Sequence, residues 1–240
     1  MPNHVLLNNV DHKDLRIITG RGAQYGDNAM LAITFPAEFR NLQAHYPIVF
    51  RKSPDGAGFE PVVLFGFQEG ENLFLDAKGW DAHYVPLAIE RQPFLIGITN
   101  GEPMVHVDLD SARVSRTDGE EVFLTHGGNT EYLERVNSTL LAIYQGLQST
   151  PAFIGALLEH SLLESFVFDI ELDDGSQNRL AGLYTIDEEK LHALGPEAIG
   201  RLHAGGHLMA IFMVLASLSN FRALIERKNH ANASARQDHA

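Results

Sequence analysis

Residues at every second position of a β-strand point to one face, and His106-Val-Asp108-Leu-Asp110 has that spacing. An imidazole and a carboxylate two residues apart make the arm of a histidine–carboxylate metal site, which also needs a distant histidine. His160, His192, His203 and His207 offer themselves, but a chain with twelve histidines supplies partners to almost any such arm. His106 and Asp108 are kept as a secondary metal reading, one that would suit a metal-dependent oxygenase. The favoured reading is the solvated face of an antiparallel strand, and no cofactor is expected. His203-Ala-Gly-Gly-His207 sets two imidazoles at i, i+4 but lacks the intervening Glu of a zinc protease. Gly205-Gly206 reads instead as a break between two helices.

A second candidate lies between His45 and Phe94, where aromatic residues and prolines crowd around the single tryptophan. Trp80, Tyr84 and Arg91 are read as a ligand-binding pocket, the guanidinium lying on an aromatic face or pairing with a carboxylate. Tyr46 and Asn72 from the same stretch complete the set. The competing reading is an aromatic core with Arg91 as a structural clamp.

Other chemistries lack their residues. Without cysteine there is no thiolate nucleophile, no disulfide and no Cys-ligated metal. Gly20-Arg-Gly22 and Gly26 are too loosely spaced for a dinucleotide fingerprint. Neither a phosphate-binding P-loop nor a serine-hydrolase elbow occurs. The glycosylation-like triplets at Asn137 and Asn232 read as chance. A net charge of −13, from 31 acidic and 18 basic side chains, opposes nucleic acid and anionic membrane surfaces as partners.

These residues need elements to hold them. Ala29–Phe35 reads as a strand, and Pro36–His45 as a short helix burying Phe39 and Leu42. Pro61–Phe67 and Asn72–Asp76 read as a hairpin around residues 68–71, and 93–99 with 104–109 as another around Asn100-Gly101. Beyond residue 126 the period becomes helical. One helix runs to about Gln148, with Leu133, Val136, Leu140, Leu141 and Tyr144 on one side, and Thr150-Pro151 starts a second. A strand pair at 166–172 and 180–186 is free to join the front sheet. The rest is helical, to about Arg227, and includes the apolar run Leu208–Leu218. That run has eleven positions where a bilayer span takes about 20, so no membrane insertion is expected. The fold class is α+β: a mostly antiparallel sheet in the N-terminal half packed with a helical C-terminal half. The expected organisation is a β-rich lobe over 1–125, a mainly helical lobe over 126–229 and a flexible tail over 230–240.

Taken together, His12-Lys-Asp-Leu-Arg16, the YPIVF run at 46–50, Glu71-Asn-Leu-Phe74, Gly79-Trp80, Tyr84-Val-Pro86, Arg91-Gln-Pro-Phe94, Gly127–Leu133 and Ser217-Leu-Ser-Asn220 make the chain resemble the SapC family of bacterial proteins. The resemblance implies association with a surface layer or with flavin-dependent halogenase pathways, and it carries no catalytic residue set. The resulting expectation is a cytoplasmic binding or accessory protein that holds a peptide or small ligand, favoured over the metal-dependent oxygenase, which stays as the alternative. Its partner is a protein or peptide from such a pathway. A third reading makes the C-terminal helices a homodimer interface. The N-terminus MPNHVLLNNV lacks the features of a secretory signal, which supports the cytoplasm.

Overall fold

Short β-branched and aromatic runs, closed by Gly, Pro and Asn turns, favour antiparallel ladders over long crossovers. The computed structural model describes residues 3–99 and 101–237. Every strand pair in it is antiparallel. The expected α+β class is what forms, with antiparallel sheets in the N-terminal half and helices toward the C-terminus.

The chain divides into two compact units, each assembled from separated segments. The first holds the described residues up to Asp27, Leu75–Asp81 and Val85–Gln145. The second holds Asn28–Phe74, Ala82–Tyr84 and the described residues from Gly146 onward. The second unit is discontinuous in sequence because the hairpin after residue 162 pairs with a strand near residue 50.

In the first unit, β1 (His4–Leu6), β8 (Phe94–Thr99) and β9 (Glu102–Asp108) form a sheet in the order β1–β9–β8. The turn between β8 and β9 falls where expected, although Asn100 lies outside the described residues. β2 (Arg16–Ile17), β10 (Val114–Ser115) and β11 (Glu120–Glu121) make a smaller sheet, and β6 (Leu75–Asp76) pairs with β7 (Gly79–Trp80). α2 (Leu87–Glu90) leads into β8. The first part of α3 (Glu131–Glu159) covers the core, burying Leu133, Val136 and Leu140 with Leu15, Ile17, Phe94 and Val107. Leu141 shares that helix side yet is about half exposed. Thr130 fixes where α3 begins: its hydroxyl accepts from the Leu133 N–H and donates to the Val122 carbonyl.

In the second unit, β3 (Leu31–Ile33), β4 (Ile48–Lys52), β5 (Phe59–Leu64), β12 (Leu163–Glu171) and β13 (Gln177–Ile186) form a five-stranded sheet. Its order is β12–β13–β4–β5–β3, so the late strand pair does join the early strands. β12 is an edge strand, and the register slips between its Phe166 and Phe168, where β13 carries one extra residue. A 3-10 turn at Pro36–Glu38 leads into α1 (Phe39–Leu42), whose Phe39 and Leu42 are fully buried as expected. The C-terminal helices are α4 (Glu188–Ala193), α5 (Pro196–Ala204), α6 (His207–Ser217) and α7 (Asn220–Gln237). Gly206, with φ +73°, separates α5 from α6, a left-handed conformation that glycine adopts without strain.

Three local expectations change. Pro61–Phe67 does not form a ladder with Asn72–Asp76, because both edges of β5 are taken by β4 and β3. Glu71 instead accepts from the Phe67 N–H, and Asn72 turns the chain by accepting from Phe74 N–H. Pro151 sits inside α3 and does not start a new helix. Proline removes the helical donor that would reach the Leu147 carbonyl, and one residue back the hydroxyls of Ser149 and Thr150 both donate to the Gly146 carbonyl. Gly146 is bare because the Phe35 ring lies against it; an added Cβ would meet ring carbons at 2.1–2.5 Å. Lastly, α7 runs through Gln237, past residue 230 where fraying is expected, and residues 238–240 lie outside the described residues.

The C-terminal helices also carry more apolar surface than the eleven-residue run suggests. The stretch His207–Ser234 is long and apolar enough, by length and composition, to cross a membrane, with 33% of its most apolar eighteen-residue window buried. It is nonetheless pinned within its unit. Fully buried Ser217 accepts from the Ile48 N–H at 2.9 Å, and Asn220 donates to the carbonyls of Gln43 and Tyr46.

The end of α7 is held by Asp174, in the β12–β13 turn. Asp174 accepts from Ser176, Asn232 and Arg236. The Ser176 hydroxyl and N–H, helped by Asn232 and Arg236, hold this carboxyl below its ordinary value of 3.8. A depressed folded value means the contribution is complete above 3.8 and disappears as the pH falls below it. Helical Cα chemical shifts at residues 230–236 should therefore persist at about pH 5 and collapse at about pH 2, ahead of the rest of the unit. Asp174→Ala should remove them at neutral pH. Shifts indifferent to both changes would contradict this account.

Candidate functional site

The five residues expected to bind a ligand are split between the units. Tyr46, Asn72 and Tyr84 belong to the second, Trp80 and Arg91 to the first. Tyr46 is fully buried, its ring packed against Phe65 and Phe74 at 5.4 and 4.7 Å between centroids. Its hydroxyl donates to the Tyr84 carbonyl. The Tyr84 hydroxyl in turn donates to Glu38, at 3.1 Å, and the Thr34 hydroxyl donates to the same carboxylate at 2.7 Å. Glu38 is only 2% exposed, so these donors answer a buried acid. With Asn72 spent on its own turn, the three residues of the second unit hold structure. Trp80, in β7, sits opposite Leu75 in a two-stranded ribbon.

Arg91 is different. It follows α2 and lines a recess of about 420 Å³ with His4, Tyr25, Gln92, Asp108 and Ser111. Burial lowers its pKa from the ordinary arginine value, which records how much water the guanidinium has lost. Among the described residues its one hydrogen bond is from Nη1 to the Phe94 carbonyl, at 2.6 Å. A guanidinium has five N–H donors, so most of this one's capacity is uncommitted. Asp108, on the same recess, accepts from the N–H groups of Asn3 and Asp110, and His4 Nε2 stands 4.0 Å from its other oxygen.

Behind the recess lies a charge network that sequence reasoning missed. Arg113 and Asp27 are 1% and 0% exposed. Arg113 Nη2 donates to both Asp27 oxygens at 2.6 and 2.7 Å, and Nη1 donates to the carbonyls of Ile18 and Gly20. Asp27 also accepts from the Gly22 N–H, at 2.8 Å. Arg21 approaches the same carboxylate at 3.6 Å and pairs with Glu90 at the end of α2. Tyr25, a recess residue, lies beside the Arg113 guanidinium at 5.4 Å. Nearby Tyr132 has its pKa pushed up to about 12, mainly by burial and then by Glu90. Eighty-six residues separate Asp27 from Arg113, and no local motif marks either one.

The histidine–carboxylate arm resolves into a hairpin. His106 Nε2 is 3.3 Å from the Thr99 hydroxyl, and Nδ1 is 3.1 Å from the Met104 carbonyl. Its ring lies over the bare Gly97 on the neighbouring strand. Among the described residues no three His, Asp or Glu side chains gather closely enough to hold a metal.

The profile of the SapC family matches residues 7–224. No curated protein and no solved structure is significantly similar to the chain.

Removing one partner of a buried ion pair leaves an uncompensated charge, at a cost of about 3–5 kcal/mol. Asp27→Asn should lower the unfolding free energy by about that much. Arg113→Lys should cost nearly as much, because an ammonium cannot fork to two carboxylate oxygens and two carbonyls together. Urea unfolding measures both, and losses below about 1 kcal/mol would remove the pair from its structural role.

Proposed function

Because the chain belongs to the SapC family, we propose that it is a binding or accessory protein, not an enzyme, whose first unit receives a ligand carboxylate at Arg91. The observation that carries this reading is the half-buried Arg91 guanidinium, which among the described residues bonds only to the Phe94 carbonyl. A desolvated cation with free forked donors gains most from a carboxylate, which takes two parallel N–H bonds. Asp108 across the recess disfavours a second negative charge on the ligand and favours a donor there. The rigid Arg113–Asp27 network supports the rim residue Tyr25, which reduces the reorganisation that binding would need. A cytoplasmic peptide or small molecule of a surface-layer or halogenase-linked pathway, which the family resemblance implies, fits this chemistry.

A second reading rests on a different observation. Met209 and Phe212 of α6 are 57% and 52% exposed, beside a run that is apolar nearly all round. Such surface suits self-association through the C-terminal helices. Light scattering tests it: a dimer at micromolar concentration should dissociate in Phe212→Glu, and a wild-type monomer would end this reading.

For the Arg91 site, the probes are acetylated tripeptides with free or amidated C-termini, and the readout is the backbone amide resonance of Gln92, which lines the same recess and is present in wild type and variant alike. Free-acid peptides should shift it and amides should not. Arg91→Gln should weaken the free-acid response by about tenfold or more, with unfolding midpoint unchanged. Equal responses to acid and amide, or a response that survives Arg91→Gln, would overturn the assignment.

A further inference from the structure

The first unit has a second depression, of about 450 Å³, between its three-stranded sheet and the early turns of α3. Leu7, Ile96, Met104 and Val105 form the sheet side, and Leu133, Leu140 and Leu141 the helix side. Its size lies within the ordinary range for small-molecule sites. Two features set it apart. In a chain that is 20% charged, none of its lining residues is Asp, Glu, Lys, Arg or His. Amid the apolar walls stand Asn137 and Tyr144, seven residues apart and so on one face of α3. Neither side chain makes a hydrogen bond among the described residues, whereas the side chains of the other two polar lining residues, Asn8 and Asn129, are bonded to Asp11 and Glu134.

We propose that this groove binds an uncharged small amphiphile: an apolar body against the leucines, and one neutral hydrogen-bonding head at Asn137 and Tyr144. The absence of charged walls argues for neutrality, since an ionic head would lose water and meet no counter-charge. Two free polar side chains answer one head group. They do not answer a peptide, whose backbone brings a donor and an acceptor with every residue and would leave most of them unpaired. The groove also accounts for surface that is otherwise costly. Met104 and Leu141 are 43% and 53% exposed, and a ligand here would cover both. This site is separate from the Arg91 recess and does not depend on it, because the two share no lining residue.

The five methionines provide the test. With methyl-labelled methionine, Met104 reports on this groove, while Met209 and Met213 line a different depression in the second unit. Titration with 1-octanol should shift the Met104 methyl and leave Met209 and Met213 in place. Octanoate, identical in body but charged, should bind at least about tenfold more weakly. Leu141→Trp, at a half-exposed position, should fill the groove and abolish the shift. The pair Asn137→Leu and Tyr144→Phe keeps the shape and should weaken octanol by about tenfold. An unmoved Met104, octanoate binding as well as octanol, or a Met104 response only to a capped apolar peptide would each overturn the proposal.

Discussion

A guanidinium enclosed by two loops is the constraint on which the first unit depends. Arg113 is taken fully out of water, and that is tolerable only because Asp27 and two carbonyls meet it. To deliver those acceptors, the chain from Ile18 to Asp27 must wrap around the charge. The same wrapping presents Tyr25 and Gly26 to the recess and brings Arg21 to Glu90. Glu90 ends α2, so the network also sets where Arg91 leaves that helix. An apolar pair of similar volume would fill the space without dictating these backbone positions.

Much of the fold was readable because its signals are local. Alternation and turn residues marked the β8–β9 and β12–β13 hairpins. What escaped were outcomes settled by partners far along the chain. Pro151 looked like a helix start, but α3 runs through it from Glu131 to Glu159. The strand ending at Leu64 looked free to fold back, but both of its edges were already claimed. Of the expected ligand residues, Arg91 lines an opening and Tyr46 lies in a closed core. Sequence spacing carries no information on that difference, since both sit in the same aromatic stretch. Tyr144 fell on a recognised helix face and Asn137 only in a triplet read as chance, and both acquire meaning only from the sheet opposite.

Several motifs behind the family resemblance explain one another physically. Ser217 and Asn220 bond to the backbone of Tyr46 and Ile48, so two runs about 170 residues apart form one joint. Thr130 starts α3, and Arg91 binds the carbonyl of Phe94. A pattern scattered along the chain thus marks the fasteners of the fold. The uncommitted donors of Arg91 and the free polar groups of α3 are what these fasteners leave available for chemistry.

The outer edge of the five-stranded sheet has its own consequence. β12 ends the sheet, and an unpaired strand is a template on which another chain can add. Here the strand carries three acids of its own, Glu164, Asp169 and Glu171. A further strand would have to bring its backbone alongside them. Charged residues along an edge strand work against such addition, so this edge is disfavoured as a template.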